Sequence, residues 1–173
     1  MVAAVNKKYF AGRGSTMKRT TKTRGFTFLE LLIVIAIVLI ISGLAITNLV
    51  RSKMAANEAS AANSLRVLNS ACVNYSVAWM GFPLALNYLG PGNPPTATAA
   101  DLVDSLLAAG TKAGYNITYI SASPSGGQVR SYTLSASPVI PGLTGTRYFF
   151  TDQTGIIRQN SGAPATAAST PLN

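Results

Sequence analysis

The chain has no histidine, one cysteine and five carboxylate side chains in 173 residues. Without histidine it lacks the side chain that most often moves protons near neutral pH and binds transition metals. Cys72, being alone, excludes an intrachain disulfide and any cysteine cluster. No nucleophile–base pair can be assembled, although Lys112 and scattered serines are present. Asp101 and Asp104 come closest to a metal site, but no third ligand accompanies them. Catalytic residues, metal and cofactor are therefore all expected to be none. Proline is absent before Pro83, and Gly43 is the only glycine between Phe26 and Met80. That long stretch thus contains little to break a helix.

Acidic residues are missing altogether from the first 25 positions, which hold Lys7, Lys8, Arg13, Lys18, Arg19, Lys22 and Arg24. From residue 26 onward seven cations face five anions, a net charge of only +2. The basic character belongs to the N-terminus rather than to the body, so nucleic acid is disfavoured as a partner.

From Leu31 to Val50 the chain reads LLIVIAIVLIISGLAITNLV, with no charge and with apolar residues on every helical face. Twenty residues at ~1.5 Å each match the ~30 Å hydrocarbon core of a bilayer. The excess of cations before this run holds the N-terminus in the cytoplasm and places the rest outside. A secretory signal would have a shorter apolar core and a small-residue cleavage site after it; here Arg51, Ser52 and Lys53 follow. An uncleaved single-pass anchor with a ligand-binding periplasmic head fits the span, but gives no reason for Glu30 at its mouth. A carboxylate there is costly in lipid and suggests a function.

Lys22-Thr-Arg-Gly-Phe-Thr-Phe-Leu-Glu30, followed by the apolar run, resembles the class III signal of type IV pilins and type II secretion pseudopilins. The resemblance implies cleavage by a prepilin peptidase after Gly25 and N-methylation of Phe26, with Lys18, Arg19, Lys22 and Arg24 as the leader charge. Met17 is an alternative start that would leave a nine-residue leader. It also implies a homo- or hetero-oligomeric filament built at an inner-membrane assembly platform, with membrane lipid around the helix beforehand. Glu30 would then pair with the Phe26 ammonium of a neighbouring subunit and set the register, since an offset would leave both charges unpaired. Taken alone, Glu30 could equally sit at the helix start to suit the dipole. Many family members have proline where Thr47 stands, so Gly43 is the one evident weak point of this helix.

The resemblance implies a pilin-like α+β fold: a long N-terminal helix, membrane-spanning in its first half, packed on a small antiparallel sheet. We divide the chain into a leader (1–25), a transmembrane or filament-core helix (26–50), its amphipathic half (51–80), a head (81–158) and a disordered tail (159–173). Along the amphipathic half, Met54, Glu58, Ala61, Leu65, Leu68, Cys72, Tyr75 and Trp79 recur at steps of three and four. Glu58 is the one exception in this stripe. Leu65, Leu68, Cys72, Tyr75 and Trp79 are the expected head core, with Cys72 a small buried hydrophobe rather than a reactive thiol. Asn69 is expected to lie off the stripe.

Residues 81–100 read as a Gly/Pro-rich connector and 101–110 as a short helix with both aspartates in its first turn. Residues 115–121 and 129–135 read as paired strands, and 148–158 as a last hairpin turning at Asp152–Gly155. The segment 147–158 also resembles the ending of small bacterial pilin-like proteins. The expected role is a structural subunit of a type IV pilus or pilus-like filament, with a type II secretion pseudopilin as the alternative.

Overall fold

The computed structural model describes residues 25–172. The leader cations Lys18, Arg19, Lys22 and Arg24, and the alternative start Met17, lie outside the described residues. Helix α1 runs from Phe28 to Trp79, 52 residues, and contributes to two compact units that divide at Ile40 and Ile41.

In the first unit the backbone amides of Glu30 and Leu31 open the helix. Glu30 N donates to Thr27 Oγ1 at 3.1 Å, and Leu31 N donates to Thr27 O at 3.1 Å. Thr27 is thus the N-cap, meeting one of the donors that a helix start leaves unpaired. Every residue from Gly25 to Ile40 is exposed. For a row of leucines, isoleucines and valines this is a strong drive out of water.

The second unit is the head. Six strands form one antiparallel sheet in chain order: β1 (Thr111–Lys112), β2 (Tyr115–Ser121), β3 (Tyr132–Pro138), β4 (Arg147–Asp152), β5 (Arg158–Ser161) and β6 (Thr170–Pro171). Alternation sets the faces. Tyr115 and Ile117 of β2, Tyr132, Leu134 and Ala136 of β3, and Phe149 of β4 are buried with Leu65, Leu68, Cys72 and Tyr75 of α1. Trp79 is partly buried at the margin of this cluster, its ring 4.7 Å from that of Tyr75. The register pairs Tyr115 with Pro138 and Ser121 with Tyr132. The second strand therefore begins three residues later than alternation suggests, because the connecting turn extends to Ser131.

Four expectations need correction. The tail is ordered: β5 and β6 pair, Leu172 N donates to Ile157 O at 2.8 Å, and Leu172 packs against the core. The 81–100 connector holds a 3-10 turn, Leu86–Leu89, whose Leu89 is fully buried. Helix α2 is only Ser105–Ala108; Asp104 caps it by accepting from Leu107 N, and Asp101 lies outside it at positive φ. Asp104 also meets Lys112 at 2.8 Å, a surface pair of small energetic weight. Asn69 is buried: its Nδ2 donates to Thr151 Oγ1 and its Oδ1 accepts from Tyr132 Oη, both at 2.9 Å.

The turn from β4 to β5 follows its residues closely. Asp152 Oδ1 accepts from Thr154 N at 2.9 Å and from Thr154 Oγ1 at 2.6 Å, and Gly155 takes φ +77°. Gly145 serves close approach instead: a Cβ there would strike the Tyr115 hydroxyl, which donates to Arg147 O at 2.8 Å.

Candidate functional site

The candidate site lies at the start of α1. Gly25 and Phe26 precede the first helical residue, so the bond between them is not locked in a helical ladder. Nothing lies within 4 Å of where a Gly25 side chain would begin. A bond that is exposed and outside regular structure is one a peptidase can take up without unfolding the helix. Gly25, Phe26, Thr27 and Glu30 line one shared hollow, which places the bond, the cap and the carboxylate together.

Thr27 is the residue that sequence reasoning passed over. Thr27-Phe28-Leu29-Glu30 has the S/T-x-x-E spacing of a capping box, and that spacing alone would have placed the helix start. The hydroxyl of Thr27 accepts the Glu30 amide. Glu30 thus sits in the first turn, near the positive end of the helix dipole. Its carboxylate has no cation within ion-pair distance among the described residues. Chemically the arrangement sets a carboxyl side chain beside an accessible backbone bond.

Beyond Glu30 the helix presents Leu31, Leu32, Ile33, Val34, Ile35, Ile37, Leu39 and Ile40, all exposed. It is long and apolar enough to cross a membrane. In the second unit it continues with exposed Ile41, Ile46 and Leu49. Moving such side chains out of water is worth ~1.5–3 kcal/mol each when fully buried, or on the order of 20 kcal/mol together.

The head stripe places its residues differently. Leu65, Leu68 and Cys72 are fully buried, Tyr75 nearly so, and Trp79 partly. Desolvation pushes the Cys72 thiol up to about 12, only partly relieved by a hydrogen bond with Tyr132. It stays a neutral thiol at any physiological pH.

Glu58, the exception in the stripe, is the other residue whose role only the structure reveals. Its Oε1 accepts from Thr146 N at 2.8 Å, Thr146 Oγ1 at 3.1 Å and Arg147 N at 3.2 Å. Its Oε2 accepts from Arg147 Nε at 2.7 Å. Arg147 in turn reaches Gln159 Oε1 at 2.9 Å, so one carboxylate ties α1 to β4 and, through the guanidinium, to β5.

Residues 20–46 match the family model of the prokaryotic N-terminal methylation motif, which is the type IV pilin and pseudopilin signal. The match covers the Gly25–Phe26 bond, Thr27, Glu30 and most of the apolar run, and stops short of the head. No curated protein and no solved structure matches the chain.

Proposed function

We propose that a chain bearing this signal on so bare an apolar helix is a structural subunit of a type IV pilus or pilus-like filament. It enters the membrane as a prepilin, with its N-terminus in the cytoplasm and its head on the far side. A prepilin peptidase cleaves after Gly25, and the new α-amine of Phe26 is methylated. The subunit then leaves lipid at an inner-membrane assembly platform by packing its helix against those of other subunits. The observation that carries this reading is the methylation motif at residues 20–46, set on a helix whose described side chains through Leu49 are all exposed.

The physics of assembly follows from the first turn. Lipid and a bundle of apolar helices are comparably favourable for leucine and isoleucine, so apolar burial alone does not choose a register. Glu30 can. A carboxylate stranded among apolar helices is expensive, and the ammonium created at Phe26 by cleavage is the matching charge on a neighbour. Thr27 holds the helix start so that both groups stand within one turn of each other. The role is architectural, with no reaction assigned to the chain.

Intact-mass measurement on membrane-extracted protein tests the reading. The expected product begins at Phe26 and carries one added methyl. A mature chain retaining Arg24 would overturn the reading in favour of an uncleaved anchor. Shearing cells and sequencing the released filaments then separates a surface pilus from a secretion pseudopilus.

A further inference from the structure

Within the head, an open groove of about 660 Å³ runs between α1 and the turn from β4 to β5. Arg66, Ser70, Val73 and Asn74 line it from the helix, and Gln153, Thr154 and Ile156 from the turn. A hollow of that size falls in the range of small-ligand sites. Its frame is fixed. Asn69 and Tyr132, which also line it, bond to each other at 2.9 Å. Thr154 is held by Asp152 at 2.6 Å, and Leu172, a further lining residue, donates its amide to Ile157 O at 2.8 Å.

The polar groups on this frame are uncommitted. The side chains of Arg66, Asn74 and Gln153 are exposed and have no hydrogen-bond or ion-pair partner among the described residues. No carboxylate lines the groove among those residues, so Arg66 sets its charge. A guanidinium matches a carboxylate with two parallel hydrogen bonds. The amides of Asn74 and Gln153 each carry donor and acceptor, which complements a peptide group. Val73 and Ile156 are 50% and 47% exposed and offer apolar contact beside them. Spacing sets the length. Arg66 and Asn74 lie eight residues apart on one helical face, about 12 Å, which an extended chain crosses in roughly three to four residues. Tyr132, the one aromatic residue of the lining, is buried, so its ring gives no open face on which a sugar or base could stack.

We propose that this groove binds a short, extended, acidic peptide segment of a partner protein. The carboxylate of the segment meets Arg66, its backbone pairs with the amides of Asn74 and Gln153, and a neighbouring apolar side chain lies against Val73 and Ile156. Every contact lies within the head, so the proposal stands apart from the filament reading above. It gives the head a recognition site of its own, separate from the packing of apolar helices.

The test uses the isotopically labelled full chain in neutral detergent micelles and two pools of end-capped tetrapeptides. One pool carries a glutamate beside a leucine, with the remaining positions mixed; its twin has glutamine in place of the glutamate. The side-chain amide signals of Asn74 and Gln153 report on the groove. Saturable shifts of both signals with the acidic pool, and roughly tenfold weaker binding of the twin, are the expected result. Arg66→Gln should bring the acidic pool down to the level of the twin with the melting temperature unchanged. Ser70→Trp, which fills the groove, should weaken both pools. Equal binding of the two pools, or acidic binding untouched by Arg66→Gln, would show that the carboxylate is not read and overturn the proposal. Binding that survives Ser70→Trp would place the peptide elsewhere and do the same. Saturation by glucuronate at lower concentration than the acidic pool would replace the peptide with a sugar acid. No saturable shift with the acidic pool at millimolar concentration would remove the site itself.

Discussion

Glu58 and Arg147 stand 89 residues apart in the chain and 2.7 Å apart in the fold. The pair is asymmetric: the carboxylate side chain is 9% exposed and the guanidinium side chain 36%. Burial pushes the Glu58 carboxyl up. The Thr146 amide, the Arg147 guanidinium, the Arg147 amide and the Thr146 hydroxyl together outweigh it and bring the group below its ordinary value of 4.5. A depressed carboxyl contributes stability that is fully present above the unfolded value and lost as pH falls through the folded one.

Glu58→Gln should therefore lower the melting temperature of the head at neutral pH, with a loss of roughly 3 kcal/mol for breaking a largely buried pair. Below the ordinary carboxyl range the gap to the unaltered protein should close. A gap that stays constant from neutral to acid pH would show that the carboxylate's charge is not what holds Arg147. The measurement suits a chain truncated to begin at Arg51, which is expected to be soluble and folded because it keeps the whole buried stripe.

Leu68→Ala should cost about 2–5 kcal/mol, as expected for a fully buried leucine. Asn69→Ala should cost about 1–3 kcal/mol as well, because it strands Thr151 Oγ1 and Tyr132 Oη in the interior. Val77, 80% exposed on the same helix, supplies the contrast: Val77→Ala should fall within about 0.5 kcal/mol of unaltered protein. Thermal denaturation of the three variants checks the ordering. A neutral Asn69→Ala would mean that its two hydrogen bonds are replaced by water.

Cys72 should resist alkylation in the native protein at about pH 8, since the thiolate is the reactive form and burial suppresses it. Modification by iodoacetamide should appear only with denaturant and follow the loss of helix signal. Rapid reaction under native conditions would show that α1 lifts from the sheet far more often than the packing implies.

Glu30→Leu should leave insertion and leader cleavage intact, because the span becomes more apolar, while lowering incorporation into filaments beside unaltered subunits. Filament yield from cells expressing this variant as sole subunit is the readout. Unchanged yield would remove the register role and leave Glu30 as a residue that suits the helix start.

The long helix, its apolar half and the methylation motif were all legible because each rests on local pattern: an uninterrupted run, a charge step and a short ordered motif. Gly155 was legible for the same reason, since a turn advertises its own residues. Asn69 and Glu58 were not. Their partners lie on strands 82 and 89 residues away, and nothing within either neighbourhood signals a buried polar tie. The last residues misled for a related reason. Ala, Ser and Thr without charge look solvated by composition, yet Thr170 pairs with Gln159 and Ala165 is buried. At the helix start, the Thr27-x-x-Glu30 spacing carries the cap locally, as the bond from Glu30 N to Thr27 Oγ1 shows.

Strands that lie in the sheet in the order they occur in the chain close only short loops, whose entropic cost grows slowly with length. Such a sheet can be laid down serially, each new strand finding its partner already waiting, with no need for a later segment to thread between earlier ones. The slow step is then left to the seam, where β4 must align with a helix formed some eighty residues earlier in the chain. On the proposed route across a membrane, that order of events suits delivery from one end. Helix α1 comes first in the chain, and each later piece of the head is a ribbon that folds back against residues already made.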